Sequence, residues 1–120
     1  MPDVLKSFGH ALDGLLHLLR TQRNFRVHLG AALLALGLAA ALGFSLLEWT
    51  ILVLTIALVL GAEGLNTGIE IAVTLASPER RPEAKAAKDI AAGVVLLCAI
   101  ASATIGALLF LPHLQRLFGR

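Results

Sequence analysis

Residues 90 to 111 read Ile-Ala-Ala-Gly-Val-Val-Leu-Leu-Cys-Ala-Ile-Ala-Ser-Ala-Thr-Ile-Gly-Ala-Leu-Leu-Phe-Leu, a run without one charged side chain that Pro112 follows. As a helix it is long enough to cross a hydrocarbon core of about 30 Å. Pro112 is expected to end it, because proline removes a backbone donor and clashes with the preceding turn. Ahead of this run, Ser77-Pro-Glu-Arg-Arg-Pro82 forms a charged, proline-bounded break. Before the break a second apolar stretch extends from Trp49 to Ala76. A first stretch, Val27 to Leu47, holds no Asp, Glu, Lys or Arg. Gly43, Phe44 and Ser45 interrupt the chain weakly before Glu48 and Trp49, and a tryptophan there suits a membrane interface. The expectation is an all-α integral membrane protein with three transmembrane helices, over 27–47, 49–76 and 90–111, the first two joined by a short hairpin.

Composition supports this. The chain of 120 residues is 58% hydrophobic and 15% charged, too apolar for a water-soluble domain of that length. No long Ser-, Pro- or charge-rich linker and no fixed-period repeat divides it, so residues 1–120 are expected to be one domain. Over residues 4–20, Leu5, Phe8, Leu12, Leu15, Leu16 and Leu19 recur at helical spacing, with Lys6, His10, Asp13, His17 and Arg20 opposite. This pattern predicts an amphipathic helix lying on the membrane surface. The N-terminus lacks the order of basic, apolar and small residues that marks a signal peptide, so the segment is expected to remain on the mature protein. Cys98 is single, so no intrachain disulfide forms, and without a basic neighbour it reads as a packing residue.

The net charge of +2 is small, and the basic residues lie in short segments beside apolar runs. That placement favours lipid head groups or phosphate and speaks against nucleic acid. Lys6, Arg20, Arg23 and Arg26 precede the first crossing, and Arg80, Arg81, Lys85 and Lys88 follow the second; the intervening hairpin has only Glu48. The excess of positive charge places both basic segments in the cytoplasm. Arg116 and Arg120 in the tail then fall outside, against the same rule, and are outnumbered. Arg80, Arg81 and Lys85 are read as fixing topology rather than binding a ligand.

A set of polar residues interrupts the second crossing. Glu63, Asn66, Thr67, Glu70 and Thr74 fall within an arc of about 100° on a helix and form one stripe. An ionisable group at that depth costs at least a few kcal/mol, which makes Glu63 the most informative residue. Interhelical hydrogen bonding alone would account for a lone carboxylate. Here Glu70 lies two turns further along, near the level of Lys88 and Asp89 at the start of the third helix. Two carboxylates, an amide, a lysine and an aspartate suit phosphoryl transfer. That reaction needs a hard cation, a positive charge on the phosphates and a base beside the attacking hydroxyl. No His or Cys cluster points to zinc or iron: His10 and His17 stand about 10 Å apart along one helix and read as surface residues. No Gly-x-x-x-x-Gly-Lys-Ser/Thr loop occurs. Gly64 and Gly68 read as a face for close helix approach.

The segment Glu63-Gly-Leu-Asn-Thr-Gly-Ile-Glu70, followed by Ala84-Lys-Ala-Ala-Lys-Asp-Ile-Ala-Ala-Gly93, resembles the signature of the prokaryotic diacylglycerol kinase family. Lys6-Ser7-Phe8, Gly14 and Arg23-Asn-Phe-Arg-Val-His28 extend the resemblance, and they look more like the undecaprenol kinase branch than the enteric diacylglycerol kinases. The resemblance implies a homotrimer in the bacterial inner membrane with active sites between subunits at the cytoplasmic face. It implies transfer from ATP, with Mg²⁺, to the terminal hydroxyl of a lipid alcohol, undecaprenol or diacylglycerol. By the same resemblance Glu63 corresponds to the catalytic base and Asn66 to its polar neighbour. Glu70 corresponds to a magnesium ligand, and Lys88 and Asp89 to residues that contact or order the nucleotide phosphates. Gln22 and Thr74 depart from the pattern, standing where a metal-binding glutamate and an aspartate are common. Each keeps an oxygen able to bind metal or nucleotide but loses a charge. A scaffold of the same fold with weakened catalysis is the alternative those departures raise. A proton path is disfavoured because the third helix carries no polar stripe.

Overall fold

The computed structural model describes residues 2–119, which form helices α1 (Pro2–Thr21), α2 (Arg23–Leu42), α3 (Leu46–Ala76) and α4 (Pro82–Phe118). Of these, α2, α3 and α4 are long and apolar enough to cross a membrane, one helix for each of the three expected crossings. The molecule is elongated, 60 × 42 × 22 Å. α3 packs mainly on α4, less on α2, while α1 touches α2 and α3.

Local chemistry fixes each corner. Between α1 and α2 only Gln22 is non-helical, with extended dihedrals (φ −110°, ψ 108°). Arg26 Nη1 reaches back to donate to the carbonyls of Leu19 (3.0 Å) and Arg20 (3.2 Å). A cation on the last carbonyls of a helix satisfies groups that have no partner within it and complements the helix dipole. α2 ends at Gly43, in the left-handed region (φ 73°, ψ 50°). Its N–H donates to Ala40 and that of Phe44 to Ala39, the Schellman pattern of bonds. Ser45 then opens α3 with a capping box: Glu48 N donates to Ser45 Oγ (3.2 Å) and Ser45 N to Glu48 Oε1 (2.9 Å).

The apolar core gathers at this end. Ala39, Phe44, Leu52 and Leu109 are buried together, and the Phe44 ring lies against Trp49 (6.1 Å between centroids), Phe110 (4.8 Å) and His113 (4.9 Å). Elsewhere large side chains such as Leu34, Leu54, Leu65, Leu97 and Leu108 are exposed along the three long helices. Such a surface is a liability in water and ordinary against lipid.

Five ends of the three long helices differ from the sequence reading. α2 begins at Arg23 and stops at Leu42, so the hairpin is only Gly43 to Ser45, and Glu48 belongs to α3 rather than to the turn. α4 begins at Pro82, well before the uncharged run, because proline is favourable in a first helical turn. Pro112 does not end α4, which continues to Phe118. The ring deprives one carbonyl of its donor, but His113, the next residue, stacks on Phe44 and pairs with Glu48, so tertiary contacts hold the helix past the break.

Candidate active site

The polar stripe of α3 lies at the opposite end from that aromatic cluster. Glu63 is 3% exposed and Thr67 is equally buried, with Thr67 Oγ1 donating to the Glu63 carbonyl at 3.1 Å. Asn66 is half-buried, while Glu70 and Thr74 are exposed. The stripe therefore runs from a sequestered carboxylate to open surface within three turns, about 16 Å along the axis.

Among the described residues, two buried side-chain atoms have no hydrogen-bond partner: Glu63 Oε2 and Asn66 Oδ1. Both are acceptors, one helical turn apart. An orphaned buried acceptor costs about 1–3 kcal/mol, more when charged. A ligand with O–H or N–H groups would relieve both. The nearest cation-forming group to the carboxylate is His28 of α2, whose Nε2 stands 4.0 Å from Glu63 Oε2. The sequence reading gave His28 no role, although an imidazole inside an otherwise apolar crossing is the kind of signal that had singled out Glu63.

A second group forms where α3 turns into α4. Thr74, Arg80, Arg81, Lys85, Lys88 and Asp89 border an open hollow of about 620 Å³. Asp89 is committed to Lys85, Oδ2 to Nζ at 2.5 Å across one helical turn, and Arg81 to Glu79 at 3.4 Å. Arg80 and Lys88 carry no ion pair among the described residues, so the hollow keeps positive charge for an anion. Thr74, Lys88 and Asp89 are thus brought together.

Glu70 and Gln22 do not line that hollow. Gln22 Nε2 donates to Thr21 Oγ1 at 3.2 Å, which leaves its Oε1 open, and no hydrogen bond or ion pair among the described residues engages the Glu70 carboxylate. No three His, Cys, Asp or Glu side chains converge among the described residues. Gly64 admits a neighbour as the glycine spacing implied: a Cβ there would stand 3.2 Å from Leu18 Cδ1 of α1, whereas Gly68 faces open space.

The comparisons with known proteins are extensive. Residues 9–110 match the family model described as prokaryotic diacylglycerol kinase. The chain is 45% identical to the undecaprenol kinase of Bacillus subtilis over 109 residues, covering 91% of this chain and 89% of that one. It is 41% identical to a diacylglycerol kinase of Synechocystis over 117 residues, 97% of this chain and 67% of the other. A diacylglycerol kinase of Helicobacter pylori is 34% identical over 94 residues, 78% of this chain and 73% of that one. With residues 9–110 matched by the family model and nearly the whole length covered by these relatives, the chain belongs to the prokaryotic diacylglycerol kinase family.

Proposed function

We propose that the protein is a lipid kinase that transfers the γ-phosphoryl group of ATP to the terminal hydroxyl of undecaprenol, in preference to diacylglycerol. The observation that carries this reading is the buried Glu63 carboxylate, whose side chain makes no hydrogen bond among the described residues: a buried base left uncommitted is the counterpart of a hydroxyl arriving from the bilayer. The undecaprenol preference rests on the 45% identity to the Bacillus kinase and on the Arg23 to His28 segment.

In this reading Glu63 accepts the hydroxyl proton as the lipid oxygen attacks the γ-phosphorus and the bond to the β–γ bridging oxygen breaks. Asn66 orients the hydroxyl. Lys88, assisted by Arg80, balances the charge of the phosphates, and Asp89 holds Lys85 at the rim of the hollow. Thr74 offers a hydroxyl to the same phosphates. Magnesium keeps several waters and takes one or two carboxylates plus phosphate oxygens, so the exposed Glu70 carboxylate suits it without an all-protein cage, and we assign the open Oε1 of Gln22 to the same ion. Bound there, Mg²⁺ would neutralise charge on the transferring group.

We further assign α1 to the membrane surface, on the alternation of its residues, and both basic segments to the cytoplasm. A cysteine at position 80, with Cys98 replaced, should then react with an impermeant thiol reagent only after the cytoplasmic side is opened. Assembly as a homotrimer, with sites completed between subunits, is supported by the extended apolar faces of single chains and by a Glu70 that looks outward.

The deciding experiment follows label from γ-³²P ATP into undecaprenol and diacylglycerol in bilayers, with and without Mg²⁺. Mg²⁺-dependent incorporation, faster into undecaprenol, is expected. Incorporation into neither would leave a scaffold of the same fold.

A further inference from the structure

Glu63 presents two carboxylate oxygens, yet accepting one hydroxyl proton needs only one, held at a fixed angle to the reacting oxygen. Its Oε2 is buried and unpaired. The one basic side chain within 4.0 Å of it among the described residues is the imidazole of His28, which comes from a different helix and is partly open, 28% exposed against 4% for the glutamate side chain. At 4.0 Å the two are about 1 Å beyond a hydrogen bond.

Two features make that gap closable. His28 also lines one end of a cavity of about 180 Å³ between α2, α3 and α4, whose walls include the small side chains of Ala32, Ala35 and Ser102 and the backbone of Gly106. The ring therefore borders open space into which it can turn, while Glu63 is enclosed. Catalytic hydrogen bonds are also commonly long until substrate is present. Neither partner is otherwise engaged: no hydrogen bond among the described residues involves the side chain of His28 or of Glu63.

We infer that His28 is the positioning residue of Glu63: its Nε2–H donates to Oε2 when the lipid arrives, and Oε1 is thereby turned to receive the hydroxyl proton. His28 acts through Glu63 and touches neither phosphate nor lipid oxygen. This inference rests on the kinase reading above.

The test measures kcat, and KM for lipid and for ATP, on the full chain in bilayers for the parent, His28→Ala, His28→Gln, Glu63→Gln and the double variant His28→Ala/Glu63→Gln. Helix content and oligomer size are followed alongside. His28→Ala should lower kcat on the order of 100-fold, the usual penalty for a reacting group misplaced by about 1 Å, with both KM values within about twofold. His28→Gln places an amide N–H near the position of Nε2–H and should recover most of kcat, which a merely structural imidazole would not explain. In the Glu63→Gln background, His28→Ala should cost nothing further, since residues acting as a unit are non-additive. An unchanged kcat, a rise in KM alone, no recovery by glutamine, or an additional loss in the double variant would each overturn the assignment. Should His28→Ala fail to assemble, His28→Leu, apolar and of similar reach, replaces it under the same criteria. A parent protein without transfer to any lipid defeats the kinase reading itself; an active parent with an indifferent His28 defeats only this inference.

Discussion

Glu48 Oε2 lies 2.7 Å from His113 Nε2, joining the first turn of α3 to the turn of α4 that follows Pro112. The same glutamate closes the capping box with Ser45 through its other oxygen, and the same imidazole stacks on Phe44 with the rings 26° from parallel. One side-chain pair therefore fastens the hairpin, the start of α3 and the end of α4 together. Removing it should loosen α4 beyond the proline and leave the distant polar stripe untouched. We expect His113→Ala to raise amide exchange over residues 114–118 on the order of tenfold, with kcat within about twofold of the parent. Unchanged exchange would mean that helical propensity alone carries α4 past Pro112.

Gly43 is the single described residue with positive φ, and nothing lies within 4 Å of where its Cβ would sit. The cost of Gly43→Ala is then purely conformational, about 1–2 kcal/mol, and should appear as a lower midpoint of unfolding in denaturing detergent. Gly106→Ala, helical and equally open, should cost no more than about 0.5 kcal/mol and can gain through helix propensity. Equal effects at the two sites would show that the left-handed turn is not maintained in the membrane.

Glu63→Gln separates chemistry from stability. An amide of the same shape cannot take the hydroxyl proton at neutral pH, so transfer should fall by about 10²- to 10⁴-fold. Removing a buried charge that lacks an internal donor should meanwhile leave the unfolding midpoint equal or higher. A midpoint that drops together with activity would identify Glu63 as a structural rather than a catalytic carboxylate.

Gln22 offers a gain-of-function test. Its Oε1 is neutral, and Glu70 is the negative ligand assigned to the same ion, so Gln22→Glu should reduce the Mg²⁺ concentration for half-maximal activity. Glu70→Gln should raise it or abolish activity. A Mg²⁺ titration at fixed ATP reads both, and an unmoved or weakened midpoint for Gln22→Glu would remove Gln22 from the metal's surroundings.

Much of this was legible in the residues. Three apolar runs and one polar stripe gave the crossings and singled out Glu63, because intramembrane charge is rare and its periodicity is unambiguous. Pro112 misled because local propensity was weighed without the aromatic contact that outweighs it. The pairing of Glu48 with Ser45 was available as a Ser-x-x-Glu capping signature, whereas its pairing with His113 was not, since the two are 65 positions apart and meet only through helix packing. His28 was visible as a polar residue in an apolar run, but its partner lies on another helix, and no spacing rule within one helix could connect them. The Lys85–Asp89 pair, one turn apart, was within reach of such a rule.

The unequal helix lengths set a relation between the protein and the thickness of its bilayer. α2 has 20 residues, about 30 Å of rise, while α3 with 31 and α4 with 37 reach about 46 and 55 Å. The two longer helices reach beyond an ordinary hydrocarbon layer, but α2 only just spans it, with Arg23 and Arg26 at its N-terminal end. A thicker or thinner membrane is therefore felt first as a vertical displacement of α2 against α3. Because His28 rides on α2 and Glu63 on α3, a shift of one residue moves their register by about 1.5 Å, more than the gap between them has to close. Rates measured across phosphatidylcholines of graded acyl length should accordingly peak sharply for the parent and flatten for His28→Ala; a parent profile as flat as the variant's would uncouple membrane thickness from the carboxylate.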